Sequence, residues 1–406
     1  MDPVRNPYAP GAGQRPPELA GRDRQRSQFD VTLERIAAGR PERSMVLSGL
    51  RGVGKTVLLN TLRSQAVGRA WGTGKLEARP EHGLRLPLAQ ALHAAIRELA
   101  HRHRDPDRVD EVLGVLSAYA TRGSRSTARA GGRGTDPPST RWRLPAGVPL
   151  VRGRADSGDL ELDLVELLGD VGELGQDLGV GIAVFLDEMQ DLPGPDLAAL
   201  CGACHEMSQQ GSPVVVVGAG LPHLPTALSA SRSYAERLFR YVAVDRLPRD
   251  EADRAIAVPA AGEGVQVTDG ALDALHALTD GYPYFIQAYG KSTWDHAVQT
   301  PITADDVVAA APDAEDELAV GFFGARVERA TPAEREYLRA MAEVCGAVGD
   351  GPVPTADVAA ATGRRPQSLS PARDGLIKKG LVYASERGQV AFTVPHFAAY
   401  LRGRPA

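Results

Sequence analysis

Met45-Val46-Leu47-Ser48-Gly49-Leu50-Arg51-Gly52-Val53-Gly54-Lys55-Thr56-Val57-Leu58-Leu59 is the stretch from which the rest of the 406-residue chain is read. An apolar run of strand length enters a glycine-rich turn, and the turn opens into helix-forming residues. Gly49 to Thr56 fits G-x-x-x-x-G-K-[ST] without a mismatch. Glycines let the backbone turn tightly with its N–H groups pointing inward, making a nest for phosphate oxygens at a helix N-terminus. Gly49, Arg51, Gly52, Val53, Gly54, Lys55, Thr56 and Val57 are therefore expected to hold a nucleotide. Lys55 should reach the β- and γ-phosphates, and the Thr56 hydroxyl should hold Mg2+.

A second stretch supports the first. Ile182-Ala-Val-Phe-Leu-Asp187-Glu188-Met-Gln190 is an apolar run ending in two carboxylates. Buried parallel strands have this pattern when their C-terminal ends open on a ligand crevice. Asp187 is expected to hold the metal, and Glu188 to orient and deprotonate the attacking water. The two stretches are expected at the ends of adjacent strands. No N-K-x-D element follows the loop, so ATP is favoured over GTP.

Composition bounds the class. The apolar share, 43%, is ordinary for a globular protein with a substantial core, and the length allows two or three domains. No apolar run approaches the roughly 20 residues of a membrane helix, and no signal-peptide pattern opens the chain, so a cytoplasmic location is expected. The net charge of −5 does not advertise a nucleic-acid binder, although a basic patch can hide inside a mildly acidic total. Three cysteines argue against a disulfide framework. Cys201-Gly-Ala-Cys204-His205 matches a haem-attachment pattern, but it lies within a predicted helix between two core strands, where small buried residues are the plainer reading.

Along the chain, residues 1–20 are rich in Pro, Gly and Ala, and an extended or poorly ordered segment is expected until something docks it. Strands are predicted at 71–77, 182–187, 214–217 and 241–244, and amphipathic helices at 84–100 and 159–178. Residues 121–158 carry eight arginines against Asp136 and Asp156, and are expected to form a solvated insertion that cannot order itself. An arm touching an acidic partner is the sharper alternative. Strands alternating with helices over 40–245 predict a parallel sheet covered on both faces. Short helices broken by Pro259, Gly281 and Pro301 follow, as a lid.

Thr331-Pro-Ala-Glu334 reads as a capping box with proline at the first helical position. Helices at 331–344, 355–361 and 366–379 and strands at 381–383 and 390–394 describe a winged helix-turn-helix. Residues 331–406 hold ten Lys/Arg against seven Asp/Glu, and five of those cations lie on or beside the predicted recognition helix. DNA contact or protein contact are both open.

This order of parts, over residues 16–400, resembles the AAA+ and STAND P-loop ATPases of the replication-initiator group. The specific pieces are the phosphate loop, Phe185-Leu-Asp187-Glu188, and Gly281-Tyr-Pro283 at the head of a lid helix. The resemblance implies an α/β fold in four parts: an N-terminal segment 1–20, an ATPase core 21–247, a helical lid 248–325 and a winged helix 326–406. It implies ATP and Mg2+ as ligands, and Pro17, Leu19, Gly21 and Arg22 packing over adenine. Arg237 occupies the place of an arginine finger that reaches a neighbouring subunit, with Arg240 as runner-up, so a homo-oligomer is conditional on it. Two departures stand out. The strand at 214–217 ends in Gly-Ala-Gly instead of a polar sensor residue, and the lid helix presents Tyr-Pro283 instead of a sensor arginine. Gly281 and Pro283 match the G-x-P element of STAND switches, which implies a slow nucleotide switch; one acting on or near DNA through the winged helix is expected, with a signalling scaffold whose winged helix recruits protein as the alternative.

Overall fold

The computed structural model describes residues 1–80, 82–102, 106–129, 150–348 and 351–403. Its centre is a five-stranded sheet of Ser44–Ser48 (β1), Gly72–Glu77 (β2), Ile182–Asp187 (β3), Val214–Gly220 (β4) and Phe239–Ala243 (β5). All pairings are parallel, in the order β2-β3-β4-β1-β5. The unbroken apolar runs have a direct cause in the pleat, which sends successive side chains to opposite faces. Ala183 and Phe185 of β3 join Phe29, Leu58 and Leu62 on one face, while Ile182, Val184 and Leu186 join Leu92, Ile96, Leu164 and Leu174 on the other. Truncating the fully buried Phe185, whose ring meets Phe29 edge-on at 6.1 Å, should cost about 3–5 kcal/mol.

One expectation needs correcting here. β1 and β3, which carry the loop and the carboxylates, are not adjacent: β4 pairs with both, through Met45↔Val217 and Phe185↔Val217. The two motifs still converge, because parallel strands bring all their C-terminal ends to one edge of the sheet.

Helices Arg85–Arg102 and Leu160–Asp177 lie where the periodicity predicts. Asp159 caps the second by accepting the N–H groups of Glu161 and Leu162. The arginine-rich stretch differs from expectation at both ends. Helix Pro106–Arg129 continues nine residues into it. At the other end Arg122 donates to the Ser157 carbonyl, Arg154 pairs with the buried Asp170, and Ala155 is fully buried. Ion pairs and a few apolar contacts with the helix Leu160–Asp177 order what composition alone would leave solvated. Residues 130–149 lie outside the described residues.

The lid consists of helices Arg249–Gly262, Asp269–Thr279, Pro283–His296 and Ala304–Glu317. Pro259 does not end the first of these, which runs on through it. Residues 1–20 also depart from expectation. They dock along the lid: Tyr8 is buried with its hydroxyl donating to the Ile256 carbonyl at 2.6 Å, and Trp294 Nε1 donates to the Asp2 carbonyl at 3.0 Å. Asn6 donates to Lys291 O and Asp295. Proline and glycine density marks a segment without regular structure, and the aromatic anchors give it a place.

A π-helical segment, Leu318–Gly324, joins the lid to the C-terminal unit. That unit has helices Pro332–Val348, Thr355–Thr362, Pro366–Lys378 and Phe397–Arg402, with Val353–Pro354 (β6), Val382–Tyr383 (β7) and Gln389–Phe392 (β8) in an antiparallel sheet of order β6-β8-β7. This is a winged-helix arrangement with one small strand and one terminal helix more than the sequence suggests. The Thr331 and Glu334 box forms, with Thr331 N–H donating to Glu334 Oε2 at 2.6 Å.

Candidate active site

At the C-terminal edge of the sheet, the chain turns from β1 through Gly49–Gly54 into helix Lys55–Gly68. Gly52 and Gly54 both sit at φ +90°, a left-handed conformation that only glycine adopts without strain. Gly49 N–H donates to the Gly220 carbonyl at 3.1 Å, fastening the start of the turn to the end of β4. Beside the turn is a cavity of about 470 Å³, within the range of small-molecule sites.

Lys55 is 7% exposed, and its Nζ donates to the Gly49 and Leu50 carbonyls at 2.9 and 2.8 Å. Burial pushes its pKa down to about 8 against the opposing pull of Glu188 and Asp187. Asp187 is 5% exposed at the end of β3, one oxygen accepting the Glu188 N–H at 3.0 Å. Glu188 takes φ +49°, rare for a side-chain-bearing residue and costing about 1 kcal/mol. That turn aims its carboxylate into the cavity, 3.8 Å from the Arg51 guanidinium.

Gln190 holds this carboxylate in place. Its Nε2 donates to Glu188 Oε2 at 2.7 Å, while its Oε1 accepts the Leu221 N–H at 3.0 Å, just beyond β4. β4 ends in Gly-Ala-Gly, and the space left at Gly220 is where this amide lies. Gln190 thus links the exit of β3 to the end of β4.

Of the residues expected at the site, Arg51, Gly52, Val53, Gly54, Lys55, Thr56, Val57, Glu188, Leu19, Arg22 and Pro283 all line the cavity. Gly49 and Asp187 are not among the lining residues: Gly49 contributes its carbonyl to Lys55, and Asp187 ends β3 beside Glu188. Arg22 is 6% exposed and donates to the Val53 and Asp245 carbonyls at 3.0 and 2.7 Å, bracing the loop against the end of β5. Arg237 is exposed on the short helix Ala235–Leu238, away from the cavity of its own chain. Arg240 lies on β5 and pairs with Glu42 at 3.2 Å.

The remaining wall was not visible in any local pattern. Tyr284, Arg326, Arg329 and Lys379 also line the cavity. The Tyr282 hydroxyl donates to the Arg51 carbonyl, and the Tyr284 N–H donates to the Gly52 carbonyl at 3.3 Å. Gly281 makes that approach possible: it sits at φ +68°, and a Cβ there would lie 2.2 Å from the Leu247 carbonyl oxygen. From the winged helix, the Thr393 carbonyl accepts the Arg51 N–H at 3.0 Å. His223, after β4, stacks on Tyr383 of β7 with ring centroids 5.9 Å apart. Lid, core and winged helix therefore meet at one turn of backbone.

The residues present suit a magnesium ion: a carboxylate and a hydroxyl are hard oxygen donors, and Mg2+ fills its other positions with water and phosphate. The two cysteines of the helix Gly194–Gln209 are buried, and burial pushes their thiols up to about 11 for Cys201 and about 12 for Cys204. No helix among the described residues is long and apolar enough to cross a membrane.

Comparison with known proteins agrees with this geometry. Residues 320–401 match a family model described as a domain of unknown function. No curated protein matches the chain. Among solved structures, the Walker-type ATPase PABY2304 of Pyrococcus abyssi is similar with a TM-score of 0.58 at 16% identity, covering 96% of this chain and 97% of that one. Cdc6p of Pyrobaculum aerophilum reaches a TM-score of 0.42 at 15% identity, covering 99% and 97%. The Orc1 protein of Aeropyrum pernix, solved in complex with DNA, reaches 0.45 at 15% identity, covering 95% and 93%. The likeness to the Pyrococcus protein is one of fold. Residues 18–217 match the family model described as AAA ATPase domain, and with the loop, the paired carboxylates and the sheet order in place, this part of the chain belongs to that family.

Proposed function

We propose that the protein is a slow, Mg2+-dependent ATPase that works as a nucleotide-controlled switch, with the winged helix as its moving part. The observation that carries the reading is the bond from Arg51 N–H to the Thr393 carbonyl at 3.0 Å, because it ties the phosphate-binding backbone itself to the winged helix. A loop that must rearrange around phosphates cannot do so without disturbing that contact.

Lys55 leaves the Gly49 and Leu50 carbonyls for the β- and γ-phosphates. Thr56 and Asp187 would hold Mg2+, which supplies charge neutralisation between those phosphates. Glu188, steadied by Gln190, orients a water and takes its proton as the new bond to the γ-phosphorus forms and the bond from that phosphorus to the β–γ bridging oxygen breaks, releasing ADP and phosphate. Leu19 and Pro283 pack near the base, and Arg22 keeps the loop fixed against β5. Arg237, exposed and distant from its own cavity, would serve a neighbouring copy. Mixing Arg237→Ala with Lys55→Ala protein should then restore some hydrolysis, whereas full activity of Arg237→Ala alone removes the finger.

Output through protein contact is favoured over DNA. Arg364 pairs with Glu336 at 3.2 Å, Arg373 with Asp374 at 2.9 Å and Lys379 with Glu334 at 2.5 Å, so much of the positive charge near the helix Pro366–Lys378 is engaged inside the chain.

Hydrogen exchange of residues 380–393 tests the switch. With Mg2+ and a non-hydrolysable ATP analogue these amides should exchange faster than with ADP. Identical exchange in the two states, with both nucleotides bound, would refute it.

A further inference from the structure

We infer that Arg326, on the connector between lid and winged helix, is the residue that tells ATP from ADP by gripping the terminal phosphate. The lid helix Pro283–His296 begins with Pro-Tyr-Phe and offers no cation to the loop. Arg326 instead enters the same cavity from the short helix Ala325–Glu328, immediately after the π-helical segment Leu318–Gly324.

Four features carry the assignment. Arg326 lines the cavity together with Lys55, Thr56 and Glu188. Its guanidinium lies 4.1 Å from the centroid of the Phe322 ring and donates to the Phe322 carbonyl, which leaves further N–H groups free to meet another acceptor. No carboxylate pairs with it among the described residues, although Lys379 on the same wall has Glu334. Burial, followed by repulsion from Arg51, lowers its pKa to about 10. A half-buried cation that lines one cavity together with a second cation, Arg51, and lacks a carboxylate partner among the described residues is a site suited to an anion.

The position also says what reading the phosphate would do. Phe322 stacks on Tyr284 at 4.5 Å, and Tyr284 donates its N–H to the Gly52 carbonyl. The neighbouring Phe323 stacks on Phe397 at 5.8 Å and Tyr400 at 4.8 Å, both in the winged-helix unit. Drawing Arg326 off Phe322 toward a phosphate pulls on a π-helical turn, a local irregularity common at functional sites. The pull reaches the loop on one side and the winged helix on the other.

This inference rests on the nucleotide site proposed above, so its test must fail separately from that site. Affinities of the full chain for fluorescent ADP and for a fluorescent non-hydrolysable ATP analogue, both with Mg2+, are measured for wild type, Arg326→Ala, Arg326→Lys and Lys55→Ala. Arg326→Ala should weaken the ATP analogue roughly 10- to 100-fold, the scale of charge-assisted hydrogen bonds, while ADP stays within about twofold. Arg326→Lys should fall between, since it keeps the charge and loses the planar fork. Equal losses for both nucleotides would show a structural role, and an unchanged ATP affinity would show no phosphate contact; either result overturns the inference. If Lys55→Ala bound both nucleotides normally, the site itself would be wrong, whatever Arg326 did.

Discussion

The two walls of the proposed nucleotide cavity are built by opposite means. On the core side, the loop, Lys55, Thr56, Asp187 and Glu188 come from strand ends of a parallel sheet and the helix start beside them, and Lys55, Asp187 and Glu188 are held by hydrogen bonds to groups within a few residues. On the far side, Tyr282, Tyr284, Arg326 and Thr393 reach the loop from more than 225 positions along the sequence, through aromatic stacks and single backbone bonds. The first wall is rigid and is suited to chemistry, which needs fixed geometry. The second is made of contacts that individually stabilise by about 1 kcal/mol and can be exchanged, which suits a wall that opens and closes.

Removing the chemistry while sparing the movable wall makes the largest break. Glu188→Gln keeps the shape and most hydrogen bonds but cannot accept a proton. Hydrolysis measured as phosphate release should fall by about 100-fold or more, with ATP affinity within about threefold. A parallel fall in both would mean that Glu188 holds the loop together rather than acting on water, and the division between walls would lose its basis.

Proton linkage sharpens the same division. Lys55, with its pKa lowered to about 8, is largely neutral above that pH in the free protein. Phosphate requires it charged, so nucleotide binding above pH 8 takes up a proton and affinity falls as pH rises, roughly tenfold per unit until the bound lysine titrates. The sign follows from burial favouring the uncharged form before phosphate arrives. Titration calorimetry in buffers of different ionisation enthalpy reads the proton directly. Lys55→Ala should remove the uptake, and an uptake of zero at pH 9 in the wild type would mean that Lys55 is charged throughout.

The same asymmetry explains what could be read from the sequence. Val46, Leu47, Phe185 and Val217 announce strands because their burial is a property of the local run, and the glycines at 52 and 54 announce their turn because their φ angles demand them. Gly281-Tyr-Pro283 marked the head of the lid helix for a comparable local reason, proline occupying its first turn. Arg326 and Gln190 carry no such signal: an arginine after an apolar run and a glutamine after two acids are ordinary until the fold shows what they face. Tyr8 and Trp294 likewise gave no warning that residues 1–20 would dock, because their edge-on contact at 6.5 Å joins segments 286 positions apart. Nor did the sequence reveal that β4 would intervene between the two motif-bearing strands. Strand order is decided by tertiary packing, not by the order in which apolar runs occur.

The smallest expected effect concerns the outer surface of the winged helix, where intramolecular pairing and nucleic-acid binding compete for the same side chains. With Arg364, Arg373 and Lys379 engaged by carboxylates, Arg365, Lys378 and Arg387 are the exposed cations near the helix and its hairpin that have no ion pair among the described residues. Three phosphate contacts would release about three counterions, so the logarithm of any duplex-DNA affinity should fall with the logarithm of salt at a slope no steeper than about −3. Gel-shift titrations of the full chain across a salt series measure it. A slope twice as steep requires the paired arginines to leave Glu336 and Asp374 for DNA, and comparing it with ADP and with an ATP analogue would then show whether nucleotide controls that exchange.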